Sequence, residues 1–97
     1  MQIRWTKTAS FNLEQIEEHI AQDNPRAAVD TVYKIIRAVE VLMGHPAAGR
    51  IGRVAGTREL VIVGTPYIVP YRVKENFIQI LRVLHGAMQW PKYFAAF

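Results

Sequence analysis

The sequence predicts an α+β fold ordered β-α-α-β-β-β: an N-terminal strand, an antiparallel helical hairpin, then a three-stranded antiparallel meander. Two stretches before residue 44 carry apolar residues at helical spacing and are parted by Asp23-Asn24-Pro25. After residue 57 the composition turns β-branched and aromatic, with short turn segments between the runs. A glycine-rich stretch separates these two regimes.

Gln2 to Trp5 alternates Ile3 and Trp5 with Gln2 and Arg4, which is a strand pattern. Thr8 is the expected cap of the first helix, where Ala9, Leu13, Ile16 and Ile20 fall on one face. Glu14, Glu17 and Glu18 fall toward solvent. Asn24 is a good N-cap, and Pro25 suits the first helical position because its missing N–H is an orphan there anyway. Ala28, Val32, Ile35 or Ile36, Val39, and Leu42 or Met43 make the second stripe, and Gly44 is the expected left-handed cap before Pro46. So short a connection makes the two helices an antiparallel pair.

Residues 44–57 read as a loop holding Arg50 and Arg53 and no acid. Strands follow at Arg58 to Val63, Tyr67 to Val73 and Phe77 to His85, with turns at Gly64-Thr65-Pro66 and Lys74-Glu75-Asn76. Pro70 removes a ladder donor in mid-strand, so an edge or a bulge is expected there. The aromatic tail from Gly86 to Phe97 is expected to dock as a short turn or helix. The hairpin covers one sheet face, yet both faces of the strands are apolar. Either a partner or the tail covers the second one.

A chain of 97 residues fits one domain, 1–97. The absence of cysteine excludes a disulfide scaffold and a thiolate zinc site, and His19, His45 and His85 are too scattered to suggest a metal. No cofactor is expected. No apolar run approaches the roughly 20 residues a membrane span needs, and the first residues lack a signal-peptide core. A soluble cytoplasmic protein is the expectation. Residues 1–43 carry a net charge of −1 and residues 44–97 a net of +5, which suggests an acidic partner for the second half.

Arg50, Arg53, Arg58, Arg72, Lys74 and Arg82 make up most of that positive charge. Guanidinium forks suit phosphate or carboxylate, although loop and strand-edge arginines also serve solubility. Arg82 interrupts an apolar strand and is expected either to pair with an acid such as Glu59 or to project into a groove. His85 ends the last strand, and acid–base work there would need a second group, with Tyr67, Tyr71 and Arg72 as candidates. A lone histidine in that place more often serves structure. Trp90, Tyr93 and Phe94 read as core closure before base stacking. Gly49, Gly52 and Gly56 follow no strand and make a poor phosphate cradle.

Taken in order, several segments resemble the RelE/ParE family of bacterial toxins: Asp23-Asn24-Pro25 with Ala27-Ala28, His45-Pro46, Gly49-Arg50, Gly52-Arg53, Gly56-Thr57-Arg58-Glu59-Leu60, Pro66-Tyr67-Ile68-Val69, Tyr71-Arg72-Val73 and Ile80-Leu81-Arg82-Val83-Leu84-His85. The resemblance spans nearly the whole chain. It implies the same architecture and a type II toxin–antitoxin pair, in which a small antitoxin wraps the toxin. Leu13, Ile16, Ile68 and Ile80 are the antitoxin contacts expected on that basis. RelE-like members are ribosome-dependent mRNA endonucleases, and several place a catalytic arginine directly after the aromatic that begins the third strand. Here Tyr67 is followed by Ile68, and His85 by Gly-Ala-Met-Gln-Trp rather than a basic cluster. These departures favour the ParE-like branch, whose members poison DNA gyrase by binding, with Arg50, Arg53 and Arg58 as the target-binding residues. The alternatives are an mRNA endonuclease on the ribosome using Tyr67, Arg72, Arg82 and His85, and a non-toxic basic nucleic-acid-binding module.

Overall fold

The structure, a computed structural model, describes residues 1–94. Strand β1 (Gln2–Trp5) leads into helices α1 (Lys7–Ala21) and α2 (Pro25–Val41). Strands β2 (Arg50–Ile51), β3 (Arg58–Val61), β4 (Tyr67–Val73), β5 (Phe77–Ile80) and β6 (Leu84–His85) follow. They form one sheet in the order β1-β5-β4-β3-β2, and β6 pairs with β4 beyond the end of β5. The meander is antiparallel, while β1 lies parallel to β5 with Ile3 opposite Ile78. The predicted α+β architecture is therefore present, in a mixed sheet.

Local chemistry explains most element boundaries. Asn24 caps α2 through its side-chain oxygen, which accepts from the Ala27 N–H at 3.1 Å, with Pro25 opening the helix. The cap of α1 is Thr6 rather than the expected Thr8. The Thr6 hydroxyl accepts from the Ala9 N–H at 3.0 Å and donates to the Leu81 carbonyl at 3.1 Å, so a contact far along the chain selects it. Gly44 is not left-handed: among the described residues only Gly56 and Gly64 have positive φ. Instead α2 winds down through tight turns, with Leu42 N–H bonding the Val39 carbonyl and Met43 N–H the Glu40 carbonyl.

The meander departs from expectation at three places. Residues 50–51 form a short strand inside the anticipated loop, and β3 ends at Val61. The expected strand from Phe77 to His85 is broken at residues 81–83. Pro70 accounts for much of this break. In an antiparallel ladder a residue's N–H and C=O point to the same side. The Pro70 carbonyl accepts from the Leu81 N–H at 3.0 Å, so its missing donor faces the interruption and weakens no pairing with β3.

The two sheet faces have separate cores. On the helix face, Ala9, Ile35, Val39 and Leu42 pack on Ile62, Val69, Tyr71, Ile78, Ile80 and Val83. Each large aliphatic side chain buried there contributes about 1.5–3 kcal/mol. On the open face, Val54, Leu81, Leu84 and Phe94 form a smaller cluster with Trp90 against it. Of the two covers anticipated for that face, the aromatic tail supplies one within the chain itself. Among the described residues, no helix is long and apolar enough to cross a membrane.

Candidate functional site

Two of the second half's seven basic residues, Arg50 and Arg53, are organised around one carboxylate. The β2–β3 register sets Arg50 directly opposite Glu59 on the open face. The connecting loop folds back through Gly52 N–H to the Thr57 carbonyl at 2.8 Å, and the Thr57 hydroxyl donates to the Val54 carbonyl at 2.6 Å. A Cβ on residue 52 would stand 2.9 Å from the Thr57 carbonyl oxygen, so this close approach requires glycine. The fold-back brings Arg53 onto the same carboxylate.

Glu59 is 2% exposed and accepts five hydrogen bonds. Arg50 donates from Nε and Nη2 to Oε1 at 3.1 and 2.9 Å. Arg53 donates its backbone N–H and Nε to Oε2 at 2.8 and 3.0 Å, and Nη2 to Oε1 at 3.2 Å. Burial pushes the Glu59 carboxyl up, but the donors from Arg53 and Arg50 outweigh it and hold it below its ordinary value. Two guanidiniums on one carboxylate leave the cluster with a surplus positive charge. The side chains of Arg50 and Arg53 remain 53% and 43% exposed. The indole of Trp90 lies over the Arg53 guanidinium, 3.6 Å from ring centroid to Cζ.

Arg58 is on the other side of the sheet, paired in register with Tyr71. Its Nη1 donates to the Gly49 carbonyl at 2.8 Å. The Tyr71 hydroxyl accepts from the Gly49 N–H and donates to the Pro46 carbonyl, both at 2.8 Å. Burial raises the Tyr71 phenol, more than the Gly49 N–H and the Arg58 charge lower it, so it stays a proton donor near neutral pH. The three arginines expected at a target surface thus share one sheet edge, two on its open face and one on its helix face.

The expected nuclease residues are not all brought together. Tyr67 and His85 meet across the β4–β6 pair, edge to face, with ring centroids 5.8 Å apart. His85 Nδ1 accepts from the Ala87 N–H at 3.1 Å. Arg72 lies opposite Gln79 and, by strand alternation, on the face away from Tyr67. Arg82 does not pair with Glu59. Its Nε donates to the Asn12 side-chain oxygen at 2.8 Å, which also takes the Val83 N–H at 3.1 Å. Asn12 was not singled out in the sequence, and its signal there is slight, a lone polar residue between Phe11 and Leu13. Glu59 had a stronger signal, as one of two acids in a half with seven basic residues.

The residues expected to meet an antitoxin are also divided. Ile80 is fully enclosed in the helix-face core and out of reach of a partner docking on this conformation. Ile68 is 8% exposed, and Leu13 and Ile16 are half-buried against the same core. The exposed large apolar side chains of the hairpin are instead Phe11, Val29, Tyr33, Ile36 and Val41. Among the described residues no group of three or more His, Cys, Asp or Glu could hold a metal ion.

Comparison with known proteins gives concordant results. The family model for the ParE toxin of the type II toxin–antitoxin system parDE matches residues 3–90. The protein Y4kP of Sinorhizobium fredii is 46% identical over 90 residues, covering 93% of this chain and 93% of that protein. Toxin RelE2 of Caulobacter vibrioides is 35% identical over 86 residues, covering 89% of this chain and 96% of its own. A structure of the chromosomal ParDE TA system from P. aeruginosa superposes with a TM-score of 0.77 at 35% identity, over 86% of this chain and 92% of that one.

Proposed function

Since the chain belongs to the ParE family of type II toxin–antitoxin toxins, we propose that it arrests growth by binding DNA gyrase, through Arg50 and Arg53 with Arg58 at the same sheet edge. The observation that supports a binding mechanism is the separation of Arg72 from the Tyr67–His85 pair. Arg72 is across the sheet from Tyr67 and His85, and Arg82 is engaged by Asn12. General acid–base cleavage needs such groups aimed at one phosphodiester. By contrast, Arg50 and Arg53 are fixed side by side with half of each side chain facing solvent, an arrangement suited to carboxylates or phosphates of a partner.

The ParDE neighbour supports a cognate antitoxin as the neutralising partner. It docks on the hairpin's exposed apolar side chains, Phe11, Val29, Tyr33 and Ile36, beside the half-buried Leu13 and Ile16. Val29, Tyr33 and Ile36 follow the i, i+4, i+7 spacing of one helix face, which suits a partner that wraps the hairpin. The protein acts in the cytoplasm, where gyrase is.

The test is inducible expression in bacteria lacking the antitoxin, with DNA and protein synthesis pulse-labelled separately. DNA synthesis falls first, cells filament, and Arg50→Ala with Arg53→Ala abolishes the effect. The ribosome-dependent nuclease reading retains one specific observation, the Tyr67–His85 contact. It requires protein synthesis to fall first and His85→Ala to relieve toxicity, and that outcome would replace the gyrase proposal.

A further inference from the structure

Residues 86–94 cross the open face of the sheet without joining it. Gly86 N–H still bonds the Pro66 carbonyl at 2.8 Å, but beyond it the polar contacts are local: Met88 N–H to the His85 carbonyl at 3.1 Å, Ala87 N–H to His85 Nδ1, and Trp90 Nε1–H to the His85 carbonyl at 3.4 Å. Among the described residues, 89–94 makes no backbone hydrogen bond to the rest of the fold. Among the described residues, two side chains hold residues 89–94 down. Trp90 stacks on Arg53, and Phe94 sits on Val54, Leu81 and Leu84. A segment fixed by side chains alone opens at lower cost than one in a ladder.

The seat beneath is held by more polar bonds than the strap upon it. Five hydrogen bonds to Glu59 fix the Arg50 and Arg53 guanidiniums, so the plane that receives the indole does not depend on the indole. The strap is also mismatched in charge. Residues 86–94 contain Lys92 and no acid, although they lie on a cluster that is positive by one charge. An aromatic ring matches the Arg53 face and an apolar ring or chain matches the Val54–Leu81–Leu84 floor, but the surplus charge has no counterpart in the strap.

From this mismatch we infer that residues 89–94 are an intramolecular occupant of a docking seat for a protein segment in which an aromatic residue is flanked by carboxylates. The partner binds by lifting the strap away. Its ring takes the place of Trp90 on Arg53, and its carboxylates meet the exposed edges of Arg50 and Arg53. Strap closure lowers the apparent affinity by the fraction of molecules that are open, so anything that loosens the strap tightens binding. The inference is independent of whether gyrase or the ribosome is the target.

The test uses the full chain labelled with 5-fluorotryptophan, whose two fluorine resonances are assigned with Trp90→Phe. The probe is the synthetic peptide acetyl-Asp-Glu-Trp-Glu-Asp-Leu-Phe-Glu-amide, unlabelled. Saturating peptide moves the Trp90 resonance to a solvent-exposed position and leaves Trp5 unmoved. Phe94→Ala binds the peptide about tenfold tighter than the parent. Should Phe94→Ala lose its fold by circular dichroism, Trp90→Ala carries the same expectation, read by anisotropy of a labelled peptide. A peptide with Asn and Gln in place of the acids binds at least about tenfold more weakly. No binding, a Trp90 resonance unmoved at saturation, a loosened strap that binds no tighter, or equal affinity for the neutral peptide would each overturn the inference.

Discussion

Glu59→Gln tests the organisation of the basic cluster most directly. The substitution keeps the shape and one acceptor oxygen, but it removes the charge that two guanidiniums share and converts one acceptor into a donor facing Arg53. Losing one partner of a fully buried ion pair costs about 3–5 kcal/mol. Here the carboxylate is enclosed, while the arginines are 53% and 43% exposed and water screens them. The expected cost is therefore lower, about 2 kcal/mol, or roughly a 10 °C fall in Tm for a domain of this size. The dependence on pH is the sharper part. The folded-state pKa of Glu59 lies below its unfolded value, so its stabilisation is complete above the ordinary carboxylate pKa of 4.5. It is lost as pH falls through the depressed folded value. Urea unfolding followed by tryptophan fluorescence from pH 7 to pH 3 should show the parent and Glu59→Gln converging as the medium becomes acid. A gap that stays constant over this range, or no gap at pH 7, would refute the reasoning.

Three further substitutions probe other parts of the fold. Tyr71→Phe strips the Gly49 N–H and the Pro46 carbonyl of their partner; urea unfolding should show a loss of about 1–3 kcal/mol, and hydrogen exchange at the Gly49 amide should speed up. Asn12→Ala frees Arg82 Nε and the Val83 N–H, with an expected loss of about 1–2 kcal/mol by the same measurement and faster exchange at the Val83 amide. Ile80→Ala opens a cavity between hairpin and sheet and should cost about 2–5 kcal/mol by thermal unfolding; a cost below 1 kcal/mol would contradict its enclosure.

What the sequence made legible is what local chemistry decides. Asn24-Pro25 marks a helix start whatever surrounds it, and the apolar spacing of both helices requires only a face to bury. The turn at Lys74-Glu75-Asn76 and the strand Tyr67–Val73 fall where expected. Long-range contacts decided the rest. Thr6 and Thr8 are equivalent as caps until the Leu81 carbonyl selects one of them. An unbroken strand from Phe77 to His85 was a fair reading of composition, but the missing donor of Pro70 and the side chain of Asn12 act on it from other elements. The candidate site shows the same division. Arg50 and Arg53 stood out by residue type, whereas their convergence on Glu59 depends on a two-residue strand register and a glycine turn. Arg82, expected either to pair with an acid or to project into a groove, bonds an amide instead. Ile80 fell on an apolar strand face that turned out to be the inner one.

The parallel pairing of β1 with β5 sets a schedule for the chain as it is made. Residues 2–5 leave the ribosome well before residues 77–80 and have no neighbour in the sheet until those follow. The Thr6 clamp on the Leu81 carbonyl waits just as long. The helical hairpin needs only nearby residues and can form early, whereas the sheet closes only after residues 77–80 have been made. During that interval the apolar side of the hairpin has no sheet to cover it, and a partner present at the site of synthesis meets that surface before the finished protein exists. The order of translation thus gives a binding protein a first opportunity that the folded molecule no longer offers.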